Sequence, residues 1–153
     1  MTVPPDTASA LVDVIFLLGR TVRTALSHME DELLPAALAG VLFLLWRTGE
    51  CRPSELAAEM CVSQSALSRQ IGELVERGYI ERHPDPDDKR AHRVRVSDAG
   101  VEVLRGVRDR RAARLREALA DWDETEMNDA LRVLGRLNDT LAPVLTDNAR
   151  RTA

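Results

Sequence analysis

Between Ser63 and Gln70 the chain reads Ser-Gln-Ser-Ala-Leu-Ser-Arg-Gln, a concentration of short hydroxyls, amides and one guanidinium suited to base edges and phosphates. Arg69 carries a planar fork that can bond guanine O6 and N7 together, and Gln64 and Gln70 can do the same for adenine, each pair discriminating by roughly 1–3 kcal/mol. Ser63, Ser65 and Ser68 add hydroxyls, and Ala66 a small apolar contact. Most protein–DNA hydrogen bonds go to the sugar-phosphate backbone, so base contact and phosphate contact both stay open for Arg69. A second cationic pair, Lys89 and Arg90, follows Asp85, Asp87 and Asp88, with Arg82 before it and Arg93 and Arg95 after. These arginines are candidate phosphate contacts. An acid gains nothing at a phosphate surface, so Asp88 is expected to pair with Arg90 or another nearby arginine and hold the loop's shape. Asp85 and Asp87 read more readily as solvated loop acids.

Other chemistries find less support. Catalysis needs a nucleophile, an acid–base pair or a metal cluster brought together, and His28, His83 and His92 are scattered, without metal-ligand spacing or a Gly-rich phosphate loop. His83 and His92 facing each other across a hairpin would be the one metal arrangement on offer. No enzyme activity, metal or cofactor is therefore expected. Cys51 and Cys61 read as thiols, in keeping with an expected cytoplasmic setting, because Met1–Ala10 lacks the order of a signal peptide and no apolar run reaches membrane-spanning length. The net charge of −4 opposes nucleic-acid binding if taken alone. What steers a chain to DNA is the local field of the docking face, which acids elsewhere can mask in the sum.

These residues must be positioned by a scaffold that is mainly helical. Leu11, Val14, Ile15, Leu18, Val22 and Leu26 form one stripe of a first helix, Leu11–His28, whose other face is expected to be polar. A second, apolar nearly all round, runs from Pro35 to a stop at Gly49 and should pack between its sequence neighbours. Pro53 and Glu55 open a short helix; Ser63 caps another from Gln64 to about Arg77, stopped by Gly78. Tyr79–His83 and His92–Val96 read as two strands around a Pro- and Asp-rich loop. Ser97 caps a helix carrying Val101, Leu104, Val107, Leu115, Leu119 and Trp122 over roughly 36 Å, too long for one small core. A last helix, from about Asp123, places Leu131, Leu134, Leu137, Leu141 and Leu145 on one stripe.

In this order the elements, and four stretches in particular, resemble the MarR family of transcriptional regulators. Leu56–Arg69 is similar to that family's helix-turn-helix, and Leu74–Arg82 to its passage into the wing. Asp85-Pro86-Asp87-Asp88-Lys89-Arg90 is similar to its wing signature, and Val94–Gly100 to the strand that leads into the fifth helix. The chain departs at Cys61, where Gly is more usual, and at Ser97-Asp98, where Leu-Thr is frequent. The resemblance implies a mainly α fold with a small β-hairpin wing, the winged helix-turn-helix lobe at 34–100 and helical dimerisation regions at 8–30 and 101–147, all within one unit of 1–153. It implies a homodimer on palindromic double-stranded DNA, with repression as the common habit. Leu11, Val14, Ile15, Leu18, Leu134, Leu137, Leu141 and Leu145 are the expected interface, an intramolecular core being the alternative. Arg111 and its neighbours are either a solvated face or the lining of an anion-friendly effector cleft. Two further readings stay open: a winged helix used for protein contact, and thiol-based redox sensing.

Overall fold

The computed structural model describes residues 4–27 and 34–151, with no account of the side chains of 23, 26, 27 and 144–151. Six helices and one hairpin follow in order: α1 Pro5–Ser27, α2 Ala36–Thr48, α3 Pro53–Glu59, α4 Gln64–Glu76, β1 Ile80–Pro84, β2 His92–Val96, α5 Asp98–Ala118 and α6 Glu124–Arg151. The fold is mainly α with a small antiparallel wing, as the sequence leads one to expect.

Local chemistry explains the boundaries. Ser63 Oγ accepts the Ala66 N–H at 3.2 Å and starts α4, and Ser97 Oγ accepts the Gly100 N–H at 3.0 Å and starts α5. Asp123 and Glu126 form a reciprocal cap on α6, each carboxylate accepting the other's backbone N–H. Glu55 accepts the Arg52 N–H at 2.7 Å where Pro53 opens α3. Gly78, at φ +75°, closes α4: its N–H bonds the Val75 carbonyl and that of Tyr79 bonds Leu74. This is the left-handed closure that glycine adopts at no steric cost.

The core runs from Leu34 to Val107. Leu38, Val41, Leu42 and Leu45 of α2 pack with Leu56 of α3, Leu67, Ile71 and Leu74 of α4, Ile80 and Val94 of the wing, and Leu104 and Val107 of α5. The partners of α2 are chiefly α4, α5 and β2, so it does not sit between its sequence neighbours. Nor is it covered all round: Phe43 and Trp46 remain about half exposed. Burial along α5 stops at Val107, and the helix ends at Ala118, short of Trp122. The wing pairs Ile80 with Val96 through Pro84 with His92, and Cys51 adds an isolated bridge on the other edge of β2 by exchanging both backbone hydrogen bonds with Val94.

One close approach ties the wing lobe to α5. Ser97 donates its hydroxyl to the Gly78 carbonyl at 2.6 Å and its N–H to that of Tyr79 at 3.0 Å. A Cβ at Gly100 would collide with the Tyr79 carbonyl oxygen and crowd Val96 Cγ1 at 2.8 Å. The start of α5 is thereby locked to the end of α4.

Outside this lobe the apolar residues are uncovered. Leu11, Val14, Ile15 and Leu18 of α1 are exposed, and so are Leu134 and Leu141 of α6; Leu137 is half-buried. The far side of α1 is not the polar face its stripe predicts, because Val12, Phe16 and Leu17 are exposed there too, Phe16 at 71%. His28 and the side chains of Leu26 and Leu145 lie outside the described residues.

Candidate nucleic-acid interface

Helix α4 presents two faces set by its 3.6-residue period. Leu67, Ile71 and Leu74 are buried, while Gln64, Ser65, Ser68 and Arg69 are exposed. Ser63 is occupied as the cap and lies 3.2 Å from Ser65 Oγ. Ala66 and Gln70 are half-buried, and Gln70 Oε1 is out of water with no hydrogen-bond partner among the described residues. Arg69 forms no ion pair among those residues. Farther along the helix Arg77 pairs with Glu73 at 2.7 Å, so the C-terminal end of α4 is neutralised and its N-terminal half is not.

The wing's arginines divide into two kinds. Arg93 Nε bonds Asp85 Oδ2 at 3.2 Å, and Arg95 bonds Glu81 at 2.8 Å. Arg82, Lys89 and Arg90 are exposed and make no side-chain ion pair among the described residues. Cations already neutralised by a neighbour have less to offer a phosphate than those facing water alone.

Asp85 organises the hairpin, a role the sequence reading placed on Asp88. Its side chain is fully buried; Oδ2 accepts from Arg52 Nε at 2.6 Å as well as from Arg93, and Oδ1 accepts the N–H groups of Asp87 at 2.9 Å and Asp88 at 3.2 Å. The Arg52 hydrogen bond, helped by the Asp87 N–H and Arg93, holds this carboxyl well below the usual carboxylate range despite the opposing push of burial. Asp88 is exposed and accepts the backbone N–H of Arg90 at 2.9 Å, so it shapes the tip without pairing an arginine side chain. Asp85 escaped notice because Arg52 lies 33 positions earlier; the Pro-Asp-Pro setting that ends β1 was the only local sign.

Other expectations resolve by geometry. In the wing register His83 faces Arg93 and His92 faces Pro84, which puts the two histidines on opposite faces of the hairpin and removes the cross-strand metal pair. Among the described residues no group of three His, Cys, Asp or Glu side chains is placed to hold a metal ion, and no helix is long and apolar enough to cross a membrane. Cys51 is buried, and burial, with Glu55 and Glu59 nearby, pushes its thiol up to about 11, away from thiolate reactivity. Cys61 is exposed and adopts φ +53°. Arg111 is half-buried and borders a cleft of about 540 Å³ between α2 and α5 with Phe43, Trp46, Leu104, Val107 and Arg108.

An exposed polar helix held against a cationic hairpin, on a core closed by three further helices, defines a winged helix-turn-helix module. The MarR family model matches residues 36–92. The HTH-type transcriptional regulator Mb0904 of Mycobacterium bovis is 34% identical over 127 residues, covering 82% of this chain and 85% of its own length. YdgJ, an HTH-type transcriptional regulator of Bacillus subtilis, is 26% identical over 101 residues, which span 66% of this chain and 62% of that relative. The fold is shared with the crystal structure of a mutant Escherichia coli MarR complexed with operator DNA, at TM-score 0.65 and 22% identity, covering 89% of this chain and 99% of that one. The chain belongs to the MarR family of winged helix-turn-helix transcription regulators.

Proposed function

We propose that the protein is a transcriptional repressor that binds a palindromic operator as a homodimer, reading bases with α4 and bracing the duplex with its wing. The observation that carries this reading is the exposed row Gln64, Ser65, Ser68 and Arg69, beside a hairpin whose Arg82, Lys89 and Arg90 face water. A recognition helix uses its N-terminal residues in the major groove, and those are the exposed ones. Mutant MarR of Escherichia coli, which shares the fold, is described in complex with operator DNA. Within this reading residues 34–100 form the DNA-binding lobe, and the uncovered stripes of α1 and α6 supply the two-fold contact. The interface candidates are Leu11, Val14, Ile15, Leu18, Leu134, Leu137 and Leu141, with Leu145 outside the described side chains. The two-fold spaces two α4 helices about one DNA turn apart.

The cleft between α2 and α5 supports release by a small effector. It joins an apolar wall, in which Phe43 and Trp46 lie 6.2 Å apart, to Arg108 and Arg111. Such a site suits an anion with an apolar body.

The test is selection of bound duplexes from a random-sequence pool, followed by anisotropy titration of the best sequence with Arg69→Ala alongside. Binding that exceeds a scrambled duplex and falls roughly 5- to 150-fold in Arg69→Ala supports base reading. Equal affinity for both duplexes overturns it and moves a protein-contact role ahead.

A further inference from the structure

The wing does not lie flat on the helix-turn-helix. Between them opens a cavity of about 290 Å³ bordered by Arg52 and Ser54 at the start of α3, Ser68 of α4, and Arg82 and His92 of the wing, with Ile71 and Val94 among its apolar lining. No carboxylate lines it. The one nearby acid, Asp85, is fully buried and committed to Arg52, Arg93 and two backbone N–H groups. Arg52 thus plays two parts. Its Nε is fixed to Asp85 at 2.6 Å, and its side chain, about one third exposed, borders the cavity, leaving the other guanidinium N–H donors to be shared with a ligand. Arg82 lies on the opposite wall without an ion pair among the described residues.

Resting on the DNA-binding reading, we propose that this cavity seats one phosphate of the DNA backbone in each half-site, bound by Arg52, Arg82, Ser54 and Ser68. The chemistry follows from the lining. Arg82 gives the uncompensated charge, Arg52, whose own charge Asp85 offsets, adds N–H donors of the fork geometry that phosphate oxygens accept, and two hydroxyls offer further donors. Asp85 stays outside the lining and holds Arg52 in place, so the net positive charge of the seat is that of Arg82. The assignment moves Ser68 from base reading to backbone positioning. It also adds Arg52 and Ser54, from the first helix of the helix-turn-helix, to the interface. A phosphate gripped between α3, α4 and the wing would fix the depth and tilt of α4 in the groove, so the contact sets register and carries no sequence preference.

The experiment compares wild type, Arg82→Ala, Arg82→Lys and Ser54→Ala on the selected duplex and on its scrambled version over a series of salt concentrations. Each phosphate neutralised contributes a slope of roughly 0.9 in log K against log salt. Arg82→Ala is expected to lower the slope by about one for each subunit bound and to weaken both duplexes by the same factor. Arg82→Lys restores the slope, and Ser54→Ala weakens binding without changing it. Ethylation of a single backbone phosphate in each half-site should impair the wild type by a larger factor than it impairs Arg82→Ala. Arg82 and Ser54 are exposed, and thermal melts of both variants are expected to match wild type. An unchanged slope in Arg82→Ala, or a loss confined to the selected sequence, overturns the seat while leaving DNA binding intact. Inorganic phosphate titrated alone separates a free-anion pocket from a duplex contact: tight phosphate binding with an unchanged DNA slope overturns the duplex assignment. A wild type that selects no duplex at all overturns the DNA reading, and the seat with it.

Discussion

The lobe from Leu34 to Gly100 and the helices that flank it are built to opposite specifications. In the lobe nearly every large apolar side chain of α3, α4 and the wing is buried, and the one fully buried carboxylate is satisfied four times over. In α1, the second half of α5 and α6, leucines and valines at core-like spacing stand in water, from Leu11 to Leu18 and again at Leu115, Leu131, Leu134 and Leu141. A helix apolar around most of its circumference, as α1 is, is characteristic of a buried position. The lobe, closed by Leu104 and Val107 at the start of α5, buries most of its apolar side chains within one copy, whereas the flanking helices leave most of theirs uncovered. On the proposed function, the DNA-reading surface belongs to the first region, and the number of such surfaces presented to DNA is set by the second.

The sharpest way to break this contrast is to place charge on the uncovered stripe. Each large aliphatic side chain taken out of water contributes roughly 1.5–3 kcal/mol, and a two-fold interface counts every substitution twice. Ile15→Glu or Leu134→Glu is expected to raise the dimer dissociation constant by roughly a hundredfold or more in sedimentation velocity experiments. A chain that remains dimeric in both variants would mean that the stripes pack elsewhere, and the contrast would fall.

The next test lies inside the lobe. Asp85→Asn removes the charge that Arg52 and Arg93 are folded around, leaving two guanidiniums partly buried with a neutral partner. The melting temperature is expected to drop on the order of 10 °C with the oligomeric state preserved. The pH dependence has a definite sign. The folded-state pKa of Asp85 lies below its unfolded value, so its contribution is complete above about pH 4 and is lost as pH falls through the folded value. Wild type should lose stability below about pH 4, and Asp85→Asn should lose less over the same interval. Parallel acid profiles would show that the Asp85 node adds nothing to closure of the lobe.

How much of this was legible in the sequence follows the distance over which each interaction acts. Caps and stops at Ser63, Gly78 and Ser97 are local, involving donors within three or four residues, and the sequence reading places them correctly. The two strands were likewise legible from short patterns on either side of a Pro- and Asp-rich loop, but their register was not, since His83 faces Arg93 and His92 faces Pro84. The Arg52–Asp85 pair was not legible, because nothing near Arg52 marks it for a partner in the wing, and the isolated bridge at Cys51 had no strand pattern to announce it. The face of α1 opposite its stripe is less polar than expected because Asp13 and Arg20 stand among Val12, Phe16 and Leu17. The candidate base readers were visible as residue types, whereas the cavity beside Ser68 exists only once α3, α4 and the wing are brought together.

The smallest expected effect compares two ends of the lobe's own helices. α3 and α4 close with the same hydrogen-bond pattern: Cys61 N–H to Ala58 and Val62 N–H to Ala57 in one, Gly78 N–H to Val75 and Tyr79 N–H to Leu74 in the other. Both require a left-handed residue, and one has glycine while the other has Cys61 at φ +53°. A side chain in that conformation costs roughly 1–2 kcal/mol, part of which glycine returns through its greater freedom in the unfolded chain. Cys61→Gly should therefore stabilise the protein by about 0.5–1 kcal/mol in urea unfolding, with Gly78→Ala moving it the other way by a similar amount. The exposed thiol has only a 3.8 Å contact with the Ala58 carbonyl to lose, so little offsets the gain. If Cys61→Gly leaves stability unchanged or lowers it, the turn between α3 and α4 does not hold a left-handed residue in solution, and the two closures are not equivalent.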